Sequence, residues 1–189
     1  SQGAGVTSNV IKAVEFAVAN RASLGIHIIN LSLGHMIYEP AANDPLVLAV
    51  ESAVRAGIVV VVSAGNNGQA GSGEIGYAGI SSPGNAPSAI TVGTVDHKNT
   101  SRADDDTVAP YSSRGPTAFD FAAKPDLVAP GTRIVSLNDD GSALALRNPA
   151  DLVAGSNGGA FPYLTLSGTS MAAPVVSGVV ARMLQANPA

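Results

Sequence analysis

Gly57-Ile58-Val59-Val60-Val61-Val62-Ser63-Ala64-Gly65-Asn66-Asn67-Gly68 is the stretch that decides the fold. Its continuous β-branched run is bounded by glycine and too short for a helix. Without polar alternation, it describes a strand buried on both faces, as in parallel sheets covered by helices. Just upstream, Asn43-Asp44-Pro45 opens a helix, with an acid near the positive end and proline in the first turn. Leu46, Val47, Val50 and Val54 line one face of that helix, and Gly57 closes it. Further upstream, Ile26-His27-Ile28-Ile29-Asn30-Leu31 reads as a short strand. Residues 26–62 therefore form a strand–helix–strand unit, with a right-handed crossover and a parallel pairing.

Working outward, Ser8 is placed to cap an earlier helix carrying Val10, Ile11, Val14, Phe16, Ala17 and Val18, with Gly25 as its stop signal. After Gly68, residues 63–88 are dense in turn signals. Ala89-Ile90-Thr91-Val92-Gly93 and Ile134-Val135-Ser136-Leu137 read as further strands. Residues 138–162 are polar without a clear period and read as a surface excursion. Leu164-Thr165-Leu166 then leads into a last helix. The expected fold is α/β: an open, mostly parallel sheet with helices on both faces, one unit over residues 1–189, incomplete at its amino-terminal side. In such sheets ligands gather at the carboxyl ends of the strands. The loops Ser32-Leu33-Gly34 and Ser63-Ala64-Gly65-Asn66 both leave strands at that edge, and together they make a groove.

Composition narrows the function. The net charge is −4 with no basic patch, which argues against nucleic acid. No apolar run reaches bilayer length, so no membrane partner is expected. Cysteine is absent, excluding disulfides and thiolate metal sites. The three histidines, His27, His35 and His97, have no metal-ligand spacing, and no metal is expected. Asp104-Asp105-Asp106, beside Arg102, reads as a solvated loop. Gly71-Ser72-Gly73-Glu74-Ile75-Gly76 matches the dinucleotide fingerprint letter for letter. It neither leaves a strand directly nor opens a helix, so nucleotide binding is set aside.

Gly168-Thr169-Ser170-Met171-Ala172-Ala173-Pro174 is the chemical centre. It opens an apolar run through Leu184 that, as a helix apolar nearly all round, is expected to be buried. Pro174 is taken as a first-turn proline. Ser170 then sits among the free N–H groups of a helix start, where negative charge is favoured. By itself the stretch fits a capped buried helix as well as a nucleophile. Asn66 has two readings as well: a turn asparagine, or an amide that donates to an oxyanion.

Taken together, these blocks resemble the subtilases, the subtilisin-like serine proteases. Gly168-Thr169-Ser170-Met171-Ala172-Ala173-Pro174 resembles their nucleophile signature. Asn30-Leu31-Ser32-Leu33-Gly34 is similar to their substrate-binding strand, and Val62-Ser63-Ala64-Gly65-Asn66-Asn67-Gly68 to their oxyanion loop. Tyr111-Ser112-Ser113-Arg114-Gly115-Pro116 and Lys124-Pro125-Asp126-Leu127-Val128-Ala129-Pro130-Gly131 are similar to further blocks in the same order. His35 and Tyr38-Glu39-Pro40 resemble a segment of larger secreted bacterial members, which implies an extracellular protein. The resemblance implies that Ser170 is the acylating nucleophile, and that Asn66 and the Ser170 N–H form the oxyanion hole. Ser32, Leu33 and Gly34 would bind an extended polypeptide substrate by strand addition. Leu33, Gly34, Ala64 and Gly65 would wall the specificity pocket, with Gly76 near its floor. Asn67 stands where some members carry an acid, so a large neutral residue is expected before the scissile bond. No cofactor is needed for the chemistry, and a structural calcium is compatible with the family.

The family orders its triad Asp, His, Ser along the chain. Its Asp-Thr/Ser-Gly and His-Gly-Thr-His blocks are not among these residues. Both are expected upstream of Ser1, making this the carboxyl-terminal part of a catalytic domain. A serine hydroxyl is a poor nucleophile without a base. On a scale taken from subtilisin itself, losing the base lowers turnover about a millionfold and leaves roughly 10³–10⁴ over water. His35 is the local alternative base, and Asp126 reads as structural. The competing reading is an impaired fragment that only binds peptides. An open sheet edge is also expected, covered by the chain's own amino-terminal segment or by a second copy.

Overall fold

In the computed structural model, residues 5–139, 141–155 and 162–187 are described. Helix α1 (Thr7–Ala19) and the short α2 (Arg21–Leu24) lead into β1 (Ile28–Leu31). Helix α3 (Pro45–Arg55), β2 (Val59–Ser63), β3 (Ile90–Asp96), β4 (Thr107–Val108) and β5 (Leu127–Pro130) follow. Strands β1, β2 and β3 pair in parallel, with Ile28 opposite Val59 and Val61 opposite Ile90. Strand β5 joins β3 in parallel, and the short β4 pairs antiparallel with the end of β3.

The period of two in β2 divides the core. Val60 and Val62 face a cluster with Val47, Val50 and Ala53 of α3 and Val14 of α1. Val61 points the other way, to Val92, Ala172, Ala173 and Val176. The last three lie on α5 (Thr169–Ala186). Helices thus cover both faces of the parallel sheet, as the apolar run from Ile58 to Val62 requires.

The start of α3 is built as its sequence implies. Asp44 caps it, its Oδ1 accepting from Leu46 N at 2.9 Å and Val47 N at 3.4 Å, with Pro45 at the first helical position. Gly57 follows the helix with φ 82°, a left-handed turn that suits glycine. Three local expectations are corrected. Ser8 lies inside α1, and Val6 at the cap position makes no side-chain cap bond. Pro174 sits inside α5 rather than in its first turn. That helix is also buried on one side only: Val175, Val179 and Met183 are exposed, because no described element packs against that flank.

Beyond β5 the chain forms a second, antiparallel sheet. Strand β6 (Ile134–Leu137) pairs with β8 (Tyr163–Leu166), which also pairs with β7 (Leu152–Val153). The described residues of the excursion over 138–162 hold regular structure that its composition does not suggest. It holds α4 (Ala143–Arg147), capped by the Ser142 hydroxyl on Ala145 N at 3.2 Å, and a 3₁₀ turn over Pro149–Asp151. Its residues 156–161 lie outside those described. Asp96, at the end of β3, bonds Lys98 Nζ at 2.9 Å and Arg133 Nη2 at 3.0 Å. The Lys98 hydrogen bonds foremost, aided by the charge of Arg133, hold its carboxyl below the ordinary carboxylate range. This ties the end of β3 to the turn before β6.

Candidate active site

The site gathers where β1 and β2 end and α5 begins. Ser170 is the second residue of α5, so its N–H belongs to the first turn and has no acceptor within the helix. Its hydroxyl donates to the Ser32 carbonyl at 3.3 Å, and the Ser32 hydroxyl donates to the Ser170 carbonyl at 2.7 Å. The second bond follows from Pro174. In a regular helix the N–H four residues on would take the Ser170 carbonyl, and proline has none. Ser32 supplies the missing donor. Asn30 Nδ2 holds the Ser32 oxygen at 2.9 Å, and Ser177 of α5 donates to Asn30 Oδ1 at 3.0 Å.

Thr169, only 1% exposed, fixes the loop that follows β2. Its N–H and hydroxyl donate to Asn66 Oδ1 at 3.0 and 3.1 Å, and its hydroxyl oxygen accepts from Gly65 N at 3.1 Å. With the amide oxygen held twice, Asn66 presents Nδ2, which has no acceptor among the described residues. A Cβ at Gly168 would lie 3.3 Å from that nitrogen, so glycine leaves the amide its room. Gly65 has φ 104°, and a Cβ there would lie 2.5 Å from Ser81 Oγ. That glycine is required twice over, by backbone and by space.

A cavity of about 170 Å³ adjoins Ser170. Leu33, Gly34, Gly65 and Asn66 line it, joined by Ser63, Ser81 and Thr169. All are uncharged. Ala64 is fully buried behind this wall, its N–H bonded to Val92 O and its carbonyl to Ser81 N. Gly76 is also away from the lining; its N–H donates to Gly68 O. Ser63, Ser81 and Thr169 carried no signal of their own in the sequence, although Thr169 stands beside Ser170.

The histidines are elsewhere. The His35 ring bonds Met36 O at 2.7 Å and stacks on Tyr38 at 5.8 Å between ring centroids. His97 Nδ1 accepts from Asn99 N. His27 lines a separate cavity of about 580 Å³ with Arg21, Ile28 and Leu184, near the opposite ends of the strands. Asp126 accepts from Thr91 N at 2.7 Å and pairs with the nearly buried Lys124 at 2.7 Å, cross-linking β3 and the approach to β5. Among the described residues, no three His, Asp or Glu side chains gather to hold a metal ion. No helix among them is long and apolar enough to cross a membrane.

A parallel α/β sheet with a serine at a helix start, facing an amide across a groove at the strand ends, defines a class of carboxyl-edge binding sites. The match to known proteins is specific within it. The chain belongs to the subtilase family, whose model matches residues 1–189, and carries the blocks of the carboxyl-terminal part of the catalytic domain. It is 42% identical over 192 residues to serine protease AprX of Bacillus subtilis (strain 168), covering 99% of this chain and 40% of that protein. Subtilisin DY of Bacillus licheniformis is 33% identical over 189 residues, covering 100% of this chain and 52% of the relative. Among solved structures, S41 psychrophilic protease superposes with a TM-score of 0.71 at 27% identity, covering 99% of this chain and 52% of that one. Sphericase gives 0.70 at 29% identity with the same coverage. The chain thus spans about half, or less, of the length of these relatives.

Proposed function

We propose that this chain is the nucleophile-bearing part of a secreted serine endopeptidase. An extended polypeptide lies along residues 32–34, adding backbone hydrogen bonds that read no side chain. The residue before the scissile bond enters the cavity beside Ser170, whose uncharged walls favour a large neutral side chain. Ser170 Oγ attacks the carbonyl carbon while a base takes its proton. The oxyanion is held by Asn66 Nδ2 and the Ser170 N–H. The amine leaves with the proton returned by the base, and water then hydrolyses the ester on Ser170. The base and its aspartate come from a segment outside these 189 residues, because none of the three histidines bonds to Ser170. The same segment, or a second copy, pairs along the free edge of β1. No cofactor takes part.

The observation that carries this reading is the double hold of Thr169 on Asn66 Oδ1, which turns the amide's donor side outward next to Ser170. A second reading follows from the positions of the histidines: alone, the chain binds peptides in the groove without cleaving them. A serine-directed phosphonate probe and a peptide-cleavage assay, with Ser170→Ala as control, separate the two. Labelling and turnover that vanish in the variant mean a working site. Background turnover in both proteins means binding alone. Efficient cleavage after Lys or Arg would overturn the neutral-pocket assignment.

A further inference from the structure

The cavity that holds His27 has a volume of about 580 Å³, within the range of small-ligand pockets, about 300–1,000 Å³. It opens where α2, α3 and α5 end and β1 and β2 begin. With a rise of about 1.5 Å per residue, Leu184 stands about 20 Å along α5 from Ser170, so the cavity is separate from the groove. Ile28, Val59 and Leu184 give it apolar walls. Arg21, His27 and Gln185 bring polar groups into it, and no acidic side chain lines it.

The polar groups are mostly donors. Arg21 Nη2 donates to the Gly57 carbonyl at 3.3 Å. A Cβ at Gly57 would lie 3.1 Å from that nitrogen, so glycine leaves the guanidinium its place. This bond serves the end of α3 and neutralises no charge. Among the described residues Nη1 has no acceptor, no carboxylate pairs with the guanidinium, and Nε is shut from solvent without a partner. Gln185 Oε1 accepts from Arg182 Nη1 at 3.1 Å, which leaves its Nε2 as the end to offer. His27 adds a ring N–H. The lining thus sets positive charge and free donors beside an apolar wall.

We infer that this cavity binds a small amphipathic carboxylate, its acid group on Arg21 and Gln185 and its apolar body against Ile28, Val59 and Leu184. A guanidinium and a carboxylate form short, charge-assisted bonds, stronger than those between neutral groups. An ammonium would be repelled by Arg21. A dianion such as phosphate would meet one guanidinium and apolar walls, where unpaired charge is costly. The carboxylate can belong to a free aliphatic acid or to the end of a peptide. The inference does not rest on the peptidase reading of Ser170.

Calorimetry on the 189-residue chain tests it with matched probes: octanoate against octanamide and octylamine, and N-acetyl-leucine against its amide. Expected is binding of at least one acid roughly tenfold or more tighter than its amide, with octylamine weakest and acetate, which lacks the apolar body, far weaker than octanoate. The tighter acid shows which source the site prefers. Amide resonances of Gly25 and Gly57, at the cavity, should shift on titration, and those of Gly65 and Asn66 should stay. Arg21→Met should bring the acid down to the level of its amide. Ala181→Phe, at an exposed position of α5, fills the cavity and should weaken acid and amide alike while circular dichroism stays unchanged. Acid and amide bound equally by the native chain, or neither bound, overturns the inference. A full acid preference in Arg21→Met, undiminished binding in Ala181→Phe, or shifts confined to Gly65 and Asn66 overturns its assignment to this cavity. Each of these outcomes leaves labelling of Ser170 by the phosphonate probe as it was.

Discussion

At the scale of single residues, Thr169 is the positioning residue of the site. Its hydroxyl joins Gly65 N to Asn66 Oδ1 in a part-buried setting, so removing it strands the Gly65 N–H and leaves the amide held by the Thr169 N–H alone. Thr169→Val keeps the shape and loses both bonds. We expect a loss of about 1–3 kcal/mol, read as a fall in melting temperature of roughly 2–10 °C for a chain of this size. An unchanged melting temperature would remove Thr169 from this role. Asn66→Ala is a different experiment, because it removes the outward-facing Nδ2 itself along with the acceptor of both Thr169 bonds. In an assembly that supplies the base, it should lower kcat by roughly 10²–10³ and leave KM nearly unchanged, a scale taken from subtilisin itself. A rise in KM at constant kcat would instead make Asn66 a ground-state binding group.

At the scale of elements, the junction of β1 with α5 turns on the exchange between Ser32 and Pro174. Ser32→Ala leaves the Ser170 carbonyl without its donor and should cost about 1–3 kcal/mol. Adding Pro174→Ala restores an N–H four residues on, so the double variant should recover much of that loss. Denaturant unfolding of the four proteins gives the coupling directly. Additive losses would mean that the carbonyl is satisfied in some other way. The same junction shows what could be read from the chain. The start of α3 was legible because Asp44 and Pro45 act locally, within one turn. The run 58–62 was legible because burial on both faces leaves it no polar residue, and the run 89–93 because its one polar residue, Thr91, is buried among apolar neighbours. Helix α5 misled for the opposite reason. Its composition is apolar on every side, but which side is covered depends on partners distant in sequence. Strand β5 and helix α4 carry too few residues to show a period, and they are held by pairing with β3 and packing near β6.

At the scale of the whole molecule, the described residues leave two apolar borders open. Strand β1 ends the order of the parallel sheet. Val175, Val179 and Met183, spaced four apart on α5, are 39–65% exposed on the flank opposite Ser177. An unpaired strand edge and a bare helix stripe both favour association. The isolated chain should therefore sediment as an associated species, or with a peptide from its own amino-terminal side bound. Val179→Lys should weaken association through the stripe and leave pairing at β1 untouched. A well-behaved lone monomer in sedimentation would count against both borders as contact sites.

The reciprocal bonds between Ser32 and Ser170 have one more consequence. The Ser32 carbonyl that receives the Ser170 hydroxyl belongs to the ledge along which, on the proposed reading, a peptide backbone bonds. While the proton rests there, one of the two lone pairs of that carbonyl is taken. A base that draws the hydroxyl away frees that acceptor for an incoming N–H. On the proposed reading, one proton would thus link the arming of Ser170 to the strength with which the ledge holds a substrate backbone.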